Sequence, residues 1–205
     1  MTLVVARYNE DVEWTREFPK KIIYNKGDRS TIPVDLQECV IDLPNVGRET
    51  HTYLYHVITN YDKIDDIIIF TQGNYTDHIN ATPTKFKEYF SNIKGLSNNF
   101  IDCKHWGEFA RSYNFNISQH KGNLSNVHLT YGPWYERVFG EKYNESTLIY
   151  PGAIFSVRKA LILSRSKEFY ERLIKEVDYD NAPQECHFME RSWLELFARQ
   201  LDEFR

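Results

Sequence analysis

The sequence predicts an α/β fold with a central mixed, mostly parallel β-sheet flanked by helices, and three observations carry that expectation. Short Val/Ile-rich runs of strand length alternate with longer amphipathic stretches, the pattern of a sheet with helices packed on its faces. One of these runs, DIIIFT at 66–71, holds four consecutive apolar residues and reads as a central strand buried on both faces. A polar stretch, QGNYTDHINATPT at 72–84, leaves the end of that strand, which is where open α/β sheets bind ligands.

The elements follow in order. Residues 3–6, 21–24 and 39–43 are apolar runs bounded by polar turns, the last stopped by Pro44, and all three are predicted as strands. Between Val46 and Tyr61, the residues Leu54, Val57, Ile58 and Tyr61 recur at helical spacing. The strand at 66–71 and its polar loop come next. Phe86, Tyr89, Phe90, Ile93 and Leu96 then form a second helical stripe, with Gly95 near its end. From Ser97 to Ser146 the chain is rich in Asn, Gly, Ser and Tyr; only 127–131 looks like a strand, and the rest is expected to be surface loop, serving as a lid or acceptor platform or hiding a further element. A strand interrupted at Pro151-Gly152 is expected within 148–157, followed by helices over about 159–177 and 185–204.

At 205 residues and 41% hydrophobic content, the chain can bury one good core, so residues 1–205 are expected to form a single domain. A net charge of -4 gives no electrostatic footprint for nucleic acid or an anionic membrane. The 15% aromatic share suits a core and equally the pockets that hold bases and sugars. Cys39, Cys103 and Cys186 stand far apart with no CxxC spacing, which fits reduced thiols in a cytosol. The first 14 residues contain only a short apolar run and reach Glu10, so neither a signal peptide nor a membrane segment is expected, and a cytoplasmic location follows. The sequons at Asn74, Asn80, Asn116, Asn123 and Asn144 then reflect an Asn-rich composition, since a cytosolic chain cannot use them.

Four clusters carry candidate chemistry. Gln72, Gly73, Asn74, Tyr75, Asp77 and His78 gather oxygen and imidazole groups at a strand's carboxyl end. A diphosphate ligand needs a hard cation there, and Mg²⁺ or Mn²⁺ takes one or two protein carboxylates, so Asp77 with His78 is the candidate metal site. Asp77 can equally cap a turn while His78 packs beside it. In the second cluster, Gly47, Arg48 and Glu49 precede a helix, where a helix N-terminus and an arginine both suit phosphate; Arg48 and Glu49 can also be an ordinary surface pair. The third cluster is the first strand's exit, Ala6, Arg7, Tyr8 and Asn9, able to hold a base by stacking and amide hydrogen bonds. The fourth, Glu185 to Trp193, carries Glu185, His187 and Glu190, from which a general base for a sugar hydroxyl can be drawn; such glutamates also serve solubility alone.

Together, LPNVGRETHTYLYH (43–56), IIIFTQGNYTDH (67–78), GAIFSV (152–157) and MERSW (189–193) resemble a group of small viral and fungal domains across nearly the whole chain. More closely, they resemble GT-A-type glycosyltransferases of the kind found at the N-terminus of larger chlorella-virus proteins that glycosylate the major capsid protein. The resemblance implies a GT-A fold, a UDP-hexose or UDP-6-deoxyhexose donor, a glycan or glycoprotein acceptor such as a viral capsid-protein glycan, and a bound Mn²⁺ or Mg²⁺. It also implies host-cell cytoplasm as the site of action and further domains after this one. Carried over by position, Ala6 to Asn9 and Arg48 would hold the uridine, Gln72 to Asp77 the ribose and metal-diphosphate unit, Gly152 and Ala153 the wall of the sugar pocket, and Glu190 would be the base of an inverting transfer. Asp77 would be the catalytic carboxylate on the metal. At this strand exit the usual Asp-x-Asp is missing, the loop reading Asn74-Tyr75-Thr76-Asp77, so one carboxylate stands where two are common. The rival expectations are a non-catalytic nucleotide- or carbohydrate-binding module and a metal-dependent hydrolase built on Asp77, His78 and Glu185; the hydrolase ranks last because it predicts a dense metal cluster and no HxH pattern is present to build one.

Overall fold

The computed structural model describes residues 1–91, 100–102, 109–110, 113–117, 129–145, 148–149 and 152–198. Its centre is a six-stranded sheet in the order β3-β2-β1-β4-β8-β5. Strands β1 (Thr2–Arg7), β2 (Lys21–Asn25), β3 (Val40–Asp42) and β4 (Ile67–Gln72) run parallel to one another. Strand β8 (Phe155–Arg158) pairs antiparallel with β4, and β5 (Phe100–Asp102) with β8. A separate two-stranded ladder joins β6 (Phe109–Ala110) to β7 (Leu148–Ile149). The predicted α/β class, mostly parallel and flanked by helices, is the observed one.

Alternation of side chains explains why the central strands are apolar throughout. In β1, Val4 and Ala6 join one core, while Leu3 and Val5 join the core on the opposite face. In β4, Ile68 and Phe70 take the first side and Ile69 the second. On the first face lies α1 (Arg48–Asn60), which buries Leu54 and Val57 of the predicted stripe, packs Ile58, and Tyr61 just past its end, partly buried against the same core, and adds Tyr53. The Tyr53 ring sits 4.7 Å from that of Phe70, and its hydroxyl donates to the Ala153 carbonyl at 2.6 Å, tying helix to sheet. On the second face α2 (Pro83–Ser91) buries Phe86 and Phe90; Ile93, Gly95 and Leu96 of the predicted stripe lie outside the described residues.

The region expected to be mainly surface loop contains a core helix. Instead of a strand over 127–131, Tyr131 opens α3 (Tyr131–Phe139), which buries Tyr131, Trp134, Tyr135 and Phe139. Residues 127 and 128 are outside the described set. The missed signal is a helical repeat of aromatics interrupted by Gly132-Pro133, and proline is tolerated there because a helix's first turn has no intrahelical partner for its N–H. Gly140 ends the helix in a left-handed conformation, φ 73°, and its N–H donates to Glu136 O. The two long C-terminal helices are broken into α4 (Lys159–Ile162), α5 (Lys167–Leu173), α6 (Gln184–Glu190) and α7 (Trp193–Ala198). Ser166 caps α5 by accepting from Phe169 N–H, which starts a new helix where the periodicity alone reads as continuous. No helix among the described residues is long and apolar enough to cross a membrane.

Candidate functional site

Strand order places the site. The chain builds β2 and β3 on one side of β1 and then returns to add β4 on the other, so β1 and β4 diverge at a topological switch point. Beyond their carboxyl ends, where Gly73 N–H donates to Ala6 O at 2.8 Å, opens a cleft of about 640 Å³. Ala6, Arg7, Tyr8 and Gln72 line it from the sheet, Arg48 and Glu49 from the start of α1, and Glu190 from the end of α6. Three segments that are far apart in sequence therefore meet: the first strand's exit, the helix after Pro44 and the C-terminal Glu190.

Backbone geometry aims the first turn of α1. Gly47 is left-handed at φ 59°, and a Cβ there would come within 2.5 Å of Val177 O, so only glycine fits. Arg48 is also left-handed, φ 46°, an uncommon state for a residue with a side chain. Three hydrogen bonds hold this turn: Gly47 N–H donates to Asp180 O at 2.8 Å, and the Lys26 ammonium donates to the carbonyls of Val46 and Arg48. Burial pulls Lys26 down to about 8, against the neighbouring Glu49 carboxylate. The Arg48 guanidinium Nη1 lies 3.2 Å from His187 Nε2.

Glu49 and Glu190 form a pair with opposite tendencies. Burial, then the charge of Glu190, pushes the Glu49 carboxyl above its ordinary range, and its Oε1 is buried with no hydrogen-bond partner among the described residues. Burial also acts on Glu190, but His187, Arg191 and Arg48 together outweigh it and hold this carboxyl below its ordinary range. Glu190 Oε2 stands 3.6 Å from both His187 Nδ1 and Arg191 Nη1. Two carboxyls whose environments separate their protonation are the usual arrangement for acid–base work. Beneath them, Cys186 is fully buried, and burial followed by the two glutamates pushes its thiol well up. Sequence reasoning left Glu49 as a possible surface partner of Arg48 and missed Lys26; only the approach of α6 to α1 reveals the first, and only the register of β2 the second.

The other sequence candidates divide into wall and scaffold. Arg7 lines the cleft, yet it is 2% exposed and its guanidinium is committed to the protein. It donates to Asn25 Oδ1 at 2.5 Å, to Thr31 Oγ1 at 2.6 Å and to the Glu10 carbonyl at 2.8 Å. Asn9 lies outside the cleft lining and accepts from Asp28 N–H at 2.8 Å, closing the turn after β2. Tyr8 is 51% exposed on the cleft wall, a free ring face for a planar ligand. Gln72 and His78 both line the cleft, with Oε1 and Nε2 3.0 Å apart.

Tyr75 is a core residue: 2% exposed, it stacks on Phe86 at 4.4 Å and donates its hydroxyl to Ala81 O. Gly152 and Ala153 stand behind the wall, Gly152 N–H reaching Glu190 O at 3.4 Å and Ala153 O accepting from Tyr53. Asp77 is absent from the cleft lining and accepts from Asn74 Nδ2 at 2.6 Å within its own turn. A short 3₁₀ turn, Tyr75–Asp77, rotates it away because Tyr75 must reach the core. Asp77 is thus poorly placed as a cation ligand, whereas Glu10 lines the cleft with His78. Gly73 makes room for Glu10: a Cβ at 73 would lie 2.5 Å from Glu10 Oε2. Glu10 and His78 are the carboxylate and imidazole that line this side of the cleft, but Glu10 Oε2 accepts from Tyr8 N–H at 2.6 Å and His78 Nε2 lies 3.0 Å from Gln72 Oε1, and among the described residues no group of three or more His, Cys, Asp or Glu side chains is set to hold a metal ion.

No curated protein matches the chain. A family model described as Protein of unknown function (DUF3431) matches residues 3–203, and the chain belongs to that family.

Proposed function

We propose that this protein is a GT-A-type glycosyltransferase that moves a hexose or 6-deoxyhexose from a UDP-sugar to a glycan acceptor, acting in the cytosol. The observation that carries the reading is the meeting of Arg48 and Glu190 in one cleft at the β1/β4 switch point. The exposed Tyr8 ring offers a stacking face for uracil, and Gln72 offers amide groups to the ribose. The Arg48 guanidinium on the cleft wall, at the start of α1, suits the diphosphate, as does the charge preference of a helix N-terminus. If a divalent cation such as Mn²⁺ or Mg²⁺ is bound, Glu10 and His78 are the cleft-lining residues that would hold it, and it would neutralise charge on the leaving diphosphate.

Glu190 acts as general base. His187, Arg191 and Arg48 keep its carboxyl ionised despite burial, so at neutral pH it can accept the proton of an acceptor hydroxyl. The hydroxyl oxygen attacks the anomeric carbon in line as the bond to the diphosphate breaks, inverting that centre, and the Arg48 charge offsets the negative charge that grows on UDP. A capsid-protein glycan of the kind the sequence resemblance implies is the first acceptor to test.

The experiment is a screen of UDP-hexoses and UDP-6-deoxyhexoses for transfer and donor hydrolysis with the Glu190→Gln variant alongside. Loss of a positioned base lowers turnover by roughly 10² to 10⁴ while UDP binding persists. Full turnover in that variant rejects Glu190 as the base. UDP binding with no transfer or hydrolysis of any donor favours a nucleotide-binding module instead.

A further inference from the structure

Two charged side chains of the cleft wall are joined from behind by a third residue that does not line it. We propose that His187 is a positioning residue whose imidazole bridges Arg48 and Glu190, holding the guanidinium assigned to the diphosphate and the carboxylate assigned to the acceptor proton in one fixed register. The bridge stands on geometry; its use in transfer rests on the UDP-sugar reading above.

His187 and Glu190 are three residues apart on α6, so they share one face of that helix, and α6 packs on α1, where Arg48 stands. Arg48 Nη1 lies 3.2 Å from His187 Nε2, and His187 Nδ1 lies 3.6 Å from Glu190 Oε2. A guanidinium has only donors and keeps its charge, so Nε2 must accept and the ring proton belongs on Nδ1, toward the carboxylate. Of the two neutral forms of the ring, only this one suits both neighbours. Arg191 fixes the same residue from the other side: its Nη1 donates to the His187 carbonyl at 2.6 Å and lies 3.6 Å from Glu190 Oε2. His187 is 8% exposed, so packing rather than solvent sets its ring. Arg48 needs such a hold, because its left-handed backbone, φ 46°, is a state that persists only where the surroundings over-determine it. Burial acts to raise the Glu190 carboxyl, and His187 is the strongest of the groups that outweigh it.

The test reads the ring directly. In the 205-residue chain with its seven histidines labelled with nitrogen-15, long-range proton–nitrogen spectra at about pH 8 distinguish the Nδ1–H from the Nε2–H form, the His187 signals being assigned by their loss in His187→Gln. The Nδ1–H form is expected, reverting toward Nε2–H, the commoner form in water, when Arg48→Met removes the donor. An Nε2–H ring, or one protonated at both nitrogens, overturns the bridge and leaves the nucleotide reading intact. Calorimetry with UDP follows the consequence. His187→Phe, which keeps a ring and neither donates nor accepts, is expected to weaken UDP by roughly three- to tenfold, the scale of ordering one long side chain on binding. His187→Gln, whose amide can accept from Arg48 and donate to Glu190, is expected to restore most of that loss, whereas a purely structural role would favour the ring. Unchanged affinity in the Phe variant, or a Gln variant weaker than Phe, overturns the positioning role. Failure of wild type to bind UDP overturns the nucleotide reading and not the bridge, which the ring's proton decides. If thermal melts show that neither variant folds, backbone-linked assignment of His187 in wild type keeps the tautomer measurement decisive.

Discussion

Acid should destabilise this fold through His56, by an amount that the surroundings of its ring set. His56 is 2% exposed on α1, its Nδ1 lies 3.0 Å from the Tyr24 hydroxyl, and its Nε2 is buried without a partner among the described residues. Protonation would put a second N–H and a charge into that environment, so burial lowers the ring from 6.5 to about 4. The unfolded chain binds this proton more readily. The stabilisation is therefore complete above pH 6.5 and is lost as the pH falls toward 4. At ~1.4 kcal/mol per pH unit, the loss approaches about 3 kcal/mol at the acid limit and reaches about 2 kcal/mol between pH 7 and 5. Urea unfolding of wild type and His56→Phe at both pH values measures it. The variant removes the Tyr24–His56 hydrogen bond and starts about 1 kcal/mol less stable. The decisive quantity is the pH-dependent change, which should be about 2 kcal/mol smaller in the variant than in wild type. Equal losses in the two proteins would refute the account of a neutral, buried His56.

Other substitutions separate scaffold from site. Tyr75→Ala removes a ring stacked on Phe86 and should cost about 3 to 5 kcal/mol in urea unfolding, with UDP affinity of the folded fraction unchanged; a selective loss of UDP binding would return Tyr75 to the site. Arg48→Met should weaken UDP binding about tenfold or more by calorimetry, because charge-assisted bonds to phosphate are lost; unaltered affinity would move the diphosphate elsewhere. In Mn²⁺ titrations, Glu10→Gln should reduce the metal-dependent part of UDP binding while Asp77→Asn should not; the reverse result would restore Asp77 as the ligand.

Local patterning made the sheet and most helices legible. Residues 3–6, 22–24 and 67–70 are apolar at successive positions because β1, β2 and β4 are covered on both faces, and the stripe from Leu54 to Val57 marks the side of α1 that packs on them. The loop reading of the segment before Ser146 failed at α3 because aromatic residues next to Gly132 and Pro133 resemble loop composition, while their spacing is helical. The candidate site was legible in outline. Tyr8, Arg48, Gln72, His78 and Glu190 were named from residue type and position relative to a strand exit or helix start, and the fold brings them to one cleft.

Residue types and their periodicity determined the α/β class, the strand exits and the helix start from which a ligand would be reached. Tertiary structure alone decided which polar side chains face the cleft, because that depends on rotations of a few residues and on contacts between distant segments. Asp77 turns away since Tyr75, two positions before it, is drawn into the core; Glu49 becomes half of a carboxyl pair since α6 delivers Glu190 beside it. Neither outcome is encoded in local spacing. Each follows from how the chain closes on itself to bury its aromatic side chains.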